Sequence, residues 1–96
     1  MSYNQYLAEH ARLSILRLLG EQPAYEANCS ILADALPELG INVGRDFVRD
    51  QVDWLAERGL VETREVRDLV IAKATRRGLD VAAGRTSVRG VARPSP

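Results

Sequence analysis

The sequence predicts a mainly α-helical domain with a three-helix core, a small β-hairpin after the third helix, and a short closing helix. Three observations carry this. Val48, Val52 and Leu55 recur three and four residues apart, with Phe47, Gln51, Trp54 and Arg58 as the adjoining stripe, so Arg45 to Arg58 is a helix with one buried seam. Gly59 stands where a left-handed residue closes a helix, and Leu60-Val61 begin something extended. From Val61 to Thr75 apolar and polar residues alternate in two short runs around Arg67-Asp68, as in a hairpin with one covered face.

Taken in order, residues 4–19 form the first helix. Leu7, Ala11, Ile15 and Leu18 make one apolar stripe, and Tyr6, Leu13 and Leu16 make a second. A surface helix needs only one such face, so this one is either enclosed within the domain or half covered by another chain. A homodimer through residues 4–19 and 76–84 is the favoured expectation. Gly20 to Ala27 reads as a loop, with Gly and Pro as breakers. Asn28 suits the N-cap of a second helix, Cys29 to about Leu39, with Ile31, Leu32, Ala35, Leu36 and Leu39 inward. Pro37 lacks an amide hydrogen and disfavours helix at Leu36, which predicts a kink or a new short turn there.

The turn spans Gly40 to Gly44, with Ile41 or Val43 plugging the core between helices. After the third helix, Arg67-Asp68 lacks the Gly or Asn of a tight two-residue hairpin, so a longer loop is expected at the tip. Thr75 can cap a last helix, Arg76 to Ala83, stopped by Gly84 and weakened by Gly78. The domain is thus expected over 1–84. Residues 85–96 are expected to form a basic, flexible C-terminal arm.

Composition excludes several functions. At 96 residues there is room for one domain and one core. The richest apolar run is broken by Arg12 and Arg17, so no membrane span is expected, and the N-terminus lacks the pattern of a signal peptide. A single cysteine permits neither an internal disulfide nor a cysteine-based zinc site, and the chain reads as cytoplasmic. His10 has no second imidazole to share a metal, and Cys29 reads as a buried, inert thiol. No nucleophile triad, carboxylate pair or phosphate-cradling glycine loop is present, so neither an enzyme nor a cofactor is expected. Net charge is zero but uneven. Residues 1–58 carry five arginines against nine acids, whereas residues 59–96 carry eight basic residues against four acids. A basic second half suits a hairpin and tail that meet phosphates.

The segments ILADAL, a glycine turn, VRDQVDWLAERGLV and an arginine-tipped hairpin resemble the winged helix-turn-helix transcriptional regulators, the ArsR/MarR-like superfamily. Thr75-Arg76-Arg77-Gly78 is similar to the threonine-x-x-glycine step that leaves the wing in that group. The whole also resembles the small winged-helix proteins of Mu-like phages and prophages. The chain lacks the paired cysteines or clustered histidines of the metal-sensing members, so no metal is expected, and it has no room for the long terminal helices of MarR-like dimers.

The resemblance implies double-stranded DNA as partner, with the third helix entering the major groove by Asn42, Arg45, Asp46, Arg49 and Asp50. Arginine reads guanine bidentately and an acid accepts from cytosine. Arg64 and Arg67 would serve the wing, and Arg76 and Arg77, with the arginines of the arm, would add salt-sensitive affinity. The alternative is a protein–protein interaction module on the same fold, in which Arg45, Arg49 and Asp53 pair along a solvated face.

Overall fold

The computed structural model describes residues 2–94. Helix α1 runs Tyr3–Gly20. It begins at a capping box, in which the Gln5 amide donates to Ser2 Oγ (3.2 Å) and the Ser2 amide to Gln5 Oε1 (3.0 Å). Most of its two apolar stripes is covered within the chain, since α1 packs on α3, α4 and the sheet and Ala11, Leu13, Ile15, Leu16 and Leu19 are buried, whereas Tyr6 of the second stripe is exposed.

A three-residue strand, β1 (Glu26–Asn28), takes up the end of the stretch expected to be loop and the expected N-cap residue Asn28, after a turn in which Ala24 and Tyr25 are left-handed. Its hydrogen bonds come from a strand more than forty residues away, which no local pattern announces. Helix α2 is Cys29–Ala35, capped by Asn28, whose Oδ1 accepts from the Ile31 amide (2.8 Å). The expected break at Pro37 appears as a tighter 3-10 turn, Leu36–Leu39.

Gly40 (φ 84°) then reverses the chain, and the Ile41 amide bonds the Leu36 carbonyl (3.0 Å), which drops Ile41 into the core. Ile41 therefore takes the position expected of Leu39, which is 55% exposed. Ile31, also expected inside, is 53% exposed, because it sits on the first turn of α2, at the edge of the packed layer.

Helix α3 is Arg45–Glu57, with Val48, Val52 and Leu55 fully buried. Gly59 (φ 73°) ends it as expected, the Leu60 amide bonding the Leu55 carbonyl (3.0 Å) and Leu60 entering the core. Strands β2 (Val61–Val66) and β3 (Leu69–Ala74) follow, and the sheet is antiparallel in the order β1-β3-β2. Val66 pairs directly with Leu69, so Arg67 and Asp68 alone make the turn, and the longer loop expected there is corrected. Arg67 achieves this in the left-handed region (φ 56°). The buried face of β3 (Val70, Ala72, Ala74) fixes the register strongly enough to impose that conformation on a non-glycine residue.

Helix α4 (Arg76–Ala82) starts at Thr75, whose hydroxyl accepts from the Gly78 amide (3.1 Å) and donates to the Gly59 carbonyl (2.7 Å). Gly78 lies against the Leu60 backbone so closely that a Cβ there would stand 2.0 Å from the Leu60 oxygen. The threonine-x-x-glycine step thus rivets the start of α4 to the end of α3.

Of the flexible arm expected over 85–96, residues 85–94 instead dock on the domain, and 95 and 96 lie outside the described residues. Val91 is buried, and Val88 and Ala92 pack on the core. The Ala92 amide bonds the Glu9 carbonyl (3.1 Å), and Arg12 Nη1 donates to the Gly90 carbonyl (2.8 Å).

Candidate nucleic-acid interface

Alternation along β2 and β3 decides which wing residues share a side with α3. Val61 faces the core, so Thr63 and Glu65 project from the same face, and Glu62, Arg64 and Val66 from the other. Glu65 indeed meets α3, its Oε1 standing 3.7 Å from Arg49 Nη2. Arg49 also approaches Asp53 (4.0 Å), and Arg45 Nη1 donates to Ser30 Oγ of α2 (3.4 Å). Arg45, Asp46 and Arg49 line one cleft with Ser30 and Cys29 from α2 and with Asp68 and Leu69 from the hairpin tip. The front of α3 and the tip of the wing therefore open on the same flank. Asn42, exposed in the preceding turn, adjoins it in sequence, and Arg67 is exposed at the hairpin tip.

The remaining candidates lie elsewhere. Arg64 is on the outer face of the sheet, 3.2 Å from Glu26. Arg76 pairs with Asp80 (3.6 Å), and Arg77 Nη1 donates to the Arg58 carbonyl (2.7 Å), which puts it at the C-terminal end of α3. A helix of that length separates its two ends by about 20 Å. Arg76 and Arg77 thus sit away from the N-terminal arginines. Asp50 is exposed on α3 together with Asp46, Asp53 and Glu57. Spaced four, three and four residues apart, these acids form a carboxylate stripe beside Arg45 and Arg49.

Exposed ion pairs such as Arg49–Glu65 contribute between zero and about 1 kcal/mol, so Arg49 is tethered weakly enough to exchange its carboxylates for another anion or a base edge. Cys29 forms part of the floor of the cleft. Burial pushes its thiol up, only partly opposed by Arg49, so it stays a neutral thiol. Sequence reasoning missed Ser30 and Glu65, although strict alternation from the buried Val61 would have placed Glu65 toward α3 and Arg64 away from it.

Behind α3, Trp54 is clasped by two guanidinium groups, Arg12 at 3.9 Å and Arg58 at 3.7 Å from the ring centroid. Arg12 Nε also donates to the buried Gln51 (2.8 Å). Gly90 caps the ring edge, where φ 97° and a Cβ that would stand 2.5 Å from the indole both require glycine. This knot fixes α3 against α1. Among the described residues, no group of His, Cys, Asp and Glu could hold a metal ion, and no helix is long and apolar enough to cross a membrane.

Four helices and a three-stranded antiparallel sheet whose β2-β3 hairpin projects beside α3 define a winged helix-turn-helix protein. The chain is similar in structure to Sco5413, a MarR family transcriptional regulator from Streptomyces coelicolor, with a TM-score of 0.66 and 29% identity over 76% of this chain. It spans about half the length of that regulator, 48%. No family model matches the sequence. Among curated proteins, an uncharacterized protein of Haemophilus influenzae is 38% identical over 80 residues, which is 82% of this chain and 78% of that protein. The uncharacterized protein gp26 of Escherichia phage Mu is 50% identical over 93 residues, 97% of this chain and 96% of gp26. The chain belongs to the family of phage Mu gp26, within the winged-helix superfamily.

Proposed function

We propose that this protein is a DNA-binding regulator of the winged-helix type, of phage or prophage origin, acting in the cytoplasm by occupying a duplex site rather than by chemistry. The observation that carries the reading is the shared flank. Arg45 and Arg49 on α3 and Asp68-Leu69 at the tip of the wing open on one cleft, with Arg67 exposed next to it in sequence, so a helix lying in a major groove and a wing beside it reach the same duplex. On this reading Arg45 and Arg49, with Asn42, Asp46 and Asp50 beside them, face base edges along the wing side of α3. Arg67 meets a phosphate or the minor groove. The relatives fit it, since the solved neighbour is a transcriptional regulator and a 50% identical relative is a phage protein. Tyr3, Tyr6 and Leu39, exposed around a shallow recess floored by Ile41, support a second copy docking on α1 so that two half-sites are read.

The test is duplex selection from a random pool, followed by gel shifts. Arg49→Ala is expected to weaken the selected site about ten-fold or more and relax its sequence preference. Arg67→Ala is expected to weaken all duplexes alike. If no duplex is enriched, or neither variant changes binding, the reading fails. The carboxylate stripe on α3 favours a second reading, in which the same face docks a basic protein surface. Recovery of no duplex, together with a stoichiometric protein partner lost on charge reversal of Asp50, is the outcome that reading predicts.

A further inference from the structure

The knot behind α3 has a charge imbalance that its packing does not resolve. Arg12 and Arg58 both stack against Trp54, their guanidinium carbons 3.9 and 3.7 Å from its ring centroid, and both line one open cleft beside it. Arg12 is partly buried and, among the described residues, has no carboxylate within ion-pair distance. Its hydrogen bonds go to neutral oxygens, Gln51 Oε1 and the Gly90 carbonyl. Arg58 reaches Glu57 only at 4.0 Å. Arg89, from the docked C-terminal segment, lines the same open cleft and has no ion pair among the described residues. Burial first, and the neighbouring Arg58 second, push the Arg12 guanidinium down from its ordinary value, whereas Glu9 acts weakly the other way. Asn4 and Gln5, in the first turn of α1, complete the lining, and that turn carries no acid to offset the positive end of the helix. Three cations around one indole, with Glu9 the one carboxylate lining the cleft and Glu57 only at 4.0 Å from Arg58, make a cradle suited to an oxyanion.

We propose that the cleft between the start of α1, the C-terminal end of α3 and the Arg89-Gly90 segment is a binding site for a phosphate-type oxyanion, held by Arg12, Arg58 and Arg89. Such an anion is either a free phosphate or a phosphate of a nucleic-acid backbone. It neutralises the pair that stacks against Trp54 and ties the C-terminal segment to α3.

Trp54 is the single tryptophan of the chain, so its emission reports the cleft directly. Inorganic phosphate is titrated against full-length protein at constant ionic strength, with chloride as the reference anion. The expected result is a saturable change in emission with half-saturation at about 1 mM. That half-saturation should rise about ten-fold in Arg89→Ala, whose side chain is exposed, and further in Arg58→Ala, but stay unchanged in Arg17→Ala. In a second arm a short duplex replaces phosphate. Loss of duplex affinity in Arg58→Ala and Arg89→Ala, with a salt slope lower by about one per lost contact, assigns the site to a backbone phosphate. Unchanged duplex binding with the phosphate response lost assigns it to the free ion. An emission change that chloride reproduces at equal ionic strength, or one that survives in the Arg58→Ala, Arg89→Ala double variant, overturns the proposal. The phosphate arm involves no DNA, so its failure leaves the DNA-binding reading standing, and the converse also holds.

Discussion

Replacing Gly78 by alanine pits two effects of opposite sign against each other. In a helix with open surroundings, glycine to alanine stabilises by about 0.5–1 kcal/mol, through backbone entropy and helix propensity. At Gly78 the added methyl would stand 2.0 Å from the Leu60 carbonyl oxygen and 3.2 Å from Leu16 Cδ2, and the first of these is backbone that cannot rotate away. Helix α4 must shift outward by about 1 Å or more to reach an ordinary contact, an overpacking cost of about 1–3 kcal/mol. The shift also stretches the Thr75 hydroxyl away from the Gly78 amide and the Gly59 carbonyl, a cap contributing about 1 kcal/mol. The clash wins. Gly78→Ala is expected to destabilise by about 2 kcal/mol, lowering the melting temperature by roughly 10 °C in calorimetry. Gly20→Ala is the control. Its nearest contact would be Leu79 Cδ2 at an ordinary 3.5 Å, so it should be neutral or slightly stabilising. A Gly78→Ala protein that melts at or above the parent temperature would refute the riveted contact between α4 and the end of α3.

Arg67→Gly should separate stability from binding. It relieves a left-handed arginine and raises unfolding free energy by up to about 1 kcal/mol in urea titrations, while duplex affinity in gel shifts falls. Asp50→Asn breaks the carboxylate stripe of α3, so stability should rise by about 0.2–0.5 kcal/mol, and on the DNA reading duplex affinity should rise too. For Cys29 the sign follows from its raised thiol. The unfolded chain ionises first, so this contribution is complete below the unfolded thiol value and is lost as pH climbs through the folded one. Unfolding free energy is therefore expected to fall above about pH 9, a slope that Cys29→Ala reduces.

What could be read from the residues divides along a physical line. The seam of α3, its Gly59 stop and the threonine-x-x-glycine step are local patterns whose period or chemistry admits one solution, and the wing followed from them. The break at Pro37 was legible for the same reason. Strand β1 was not, because Glu26-Ala27-Asn28 has no strand preference of its own and pairs only because β3 is there. The tight turn at Arg67-Asp68 runs against turn chemistry, since sheet register outweighs the cost of one left-handed arginine. Gly90 carried a faint signal as a glycine in an otherwise featureless tail, but nothing in sequence joins it to Trp54. Within the candidate site, the arginines of α3 were identifiable by helical spacing. The separation of Arg64, Arg76 and Arg77 from them required knowing which strand face and which helix end each one occupies.

The most direct test of the shared flank is amide chemical-shift mapping during titration with a selected duplex. Shifts are expected to concentrate from Asn42 to Asp50 and from Arg67 to Leu69, with the outer-face residues Glu62, Arg64 and Lys73 unmoved. Shifts centred on that outer face, or on the Asp53 to Glu57 stretch with the wing tip silent, would contradict the shared flank.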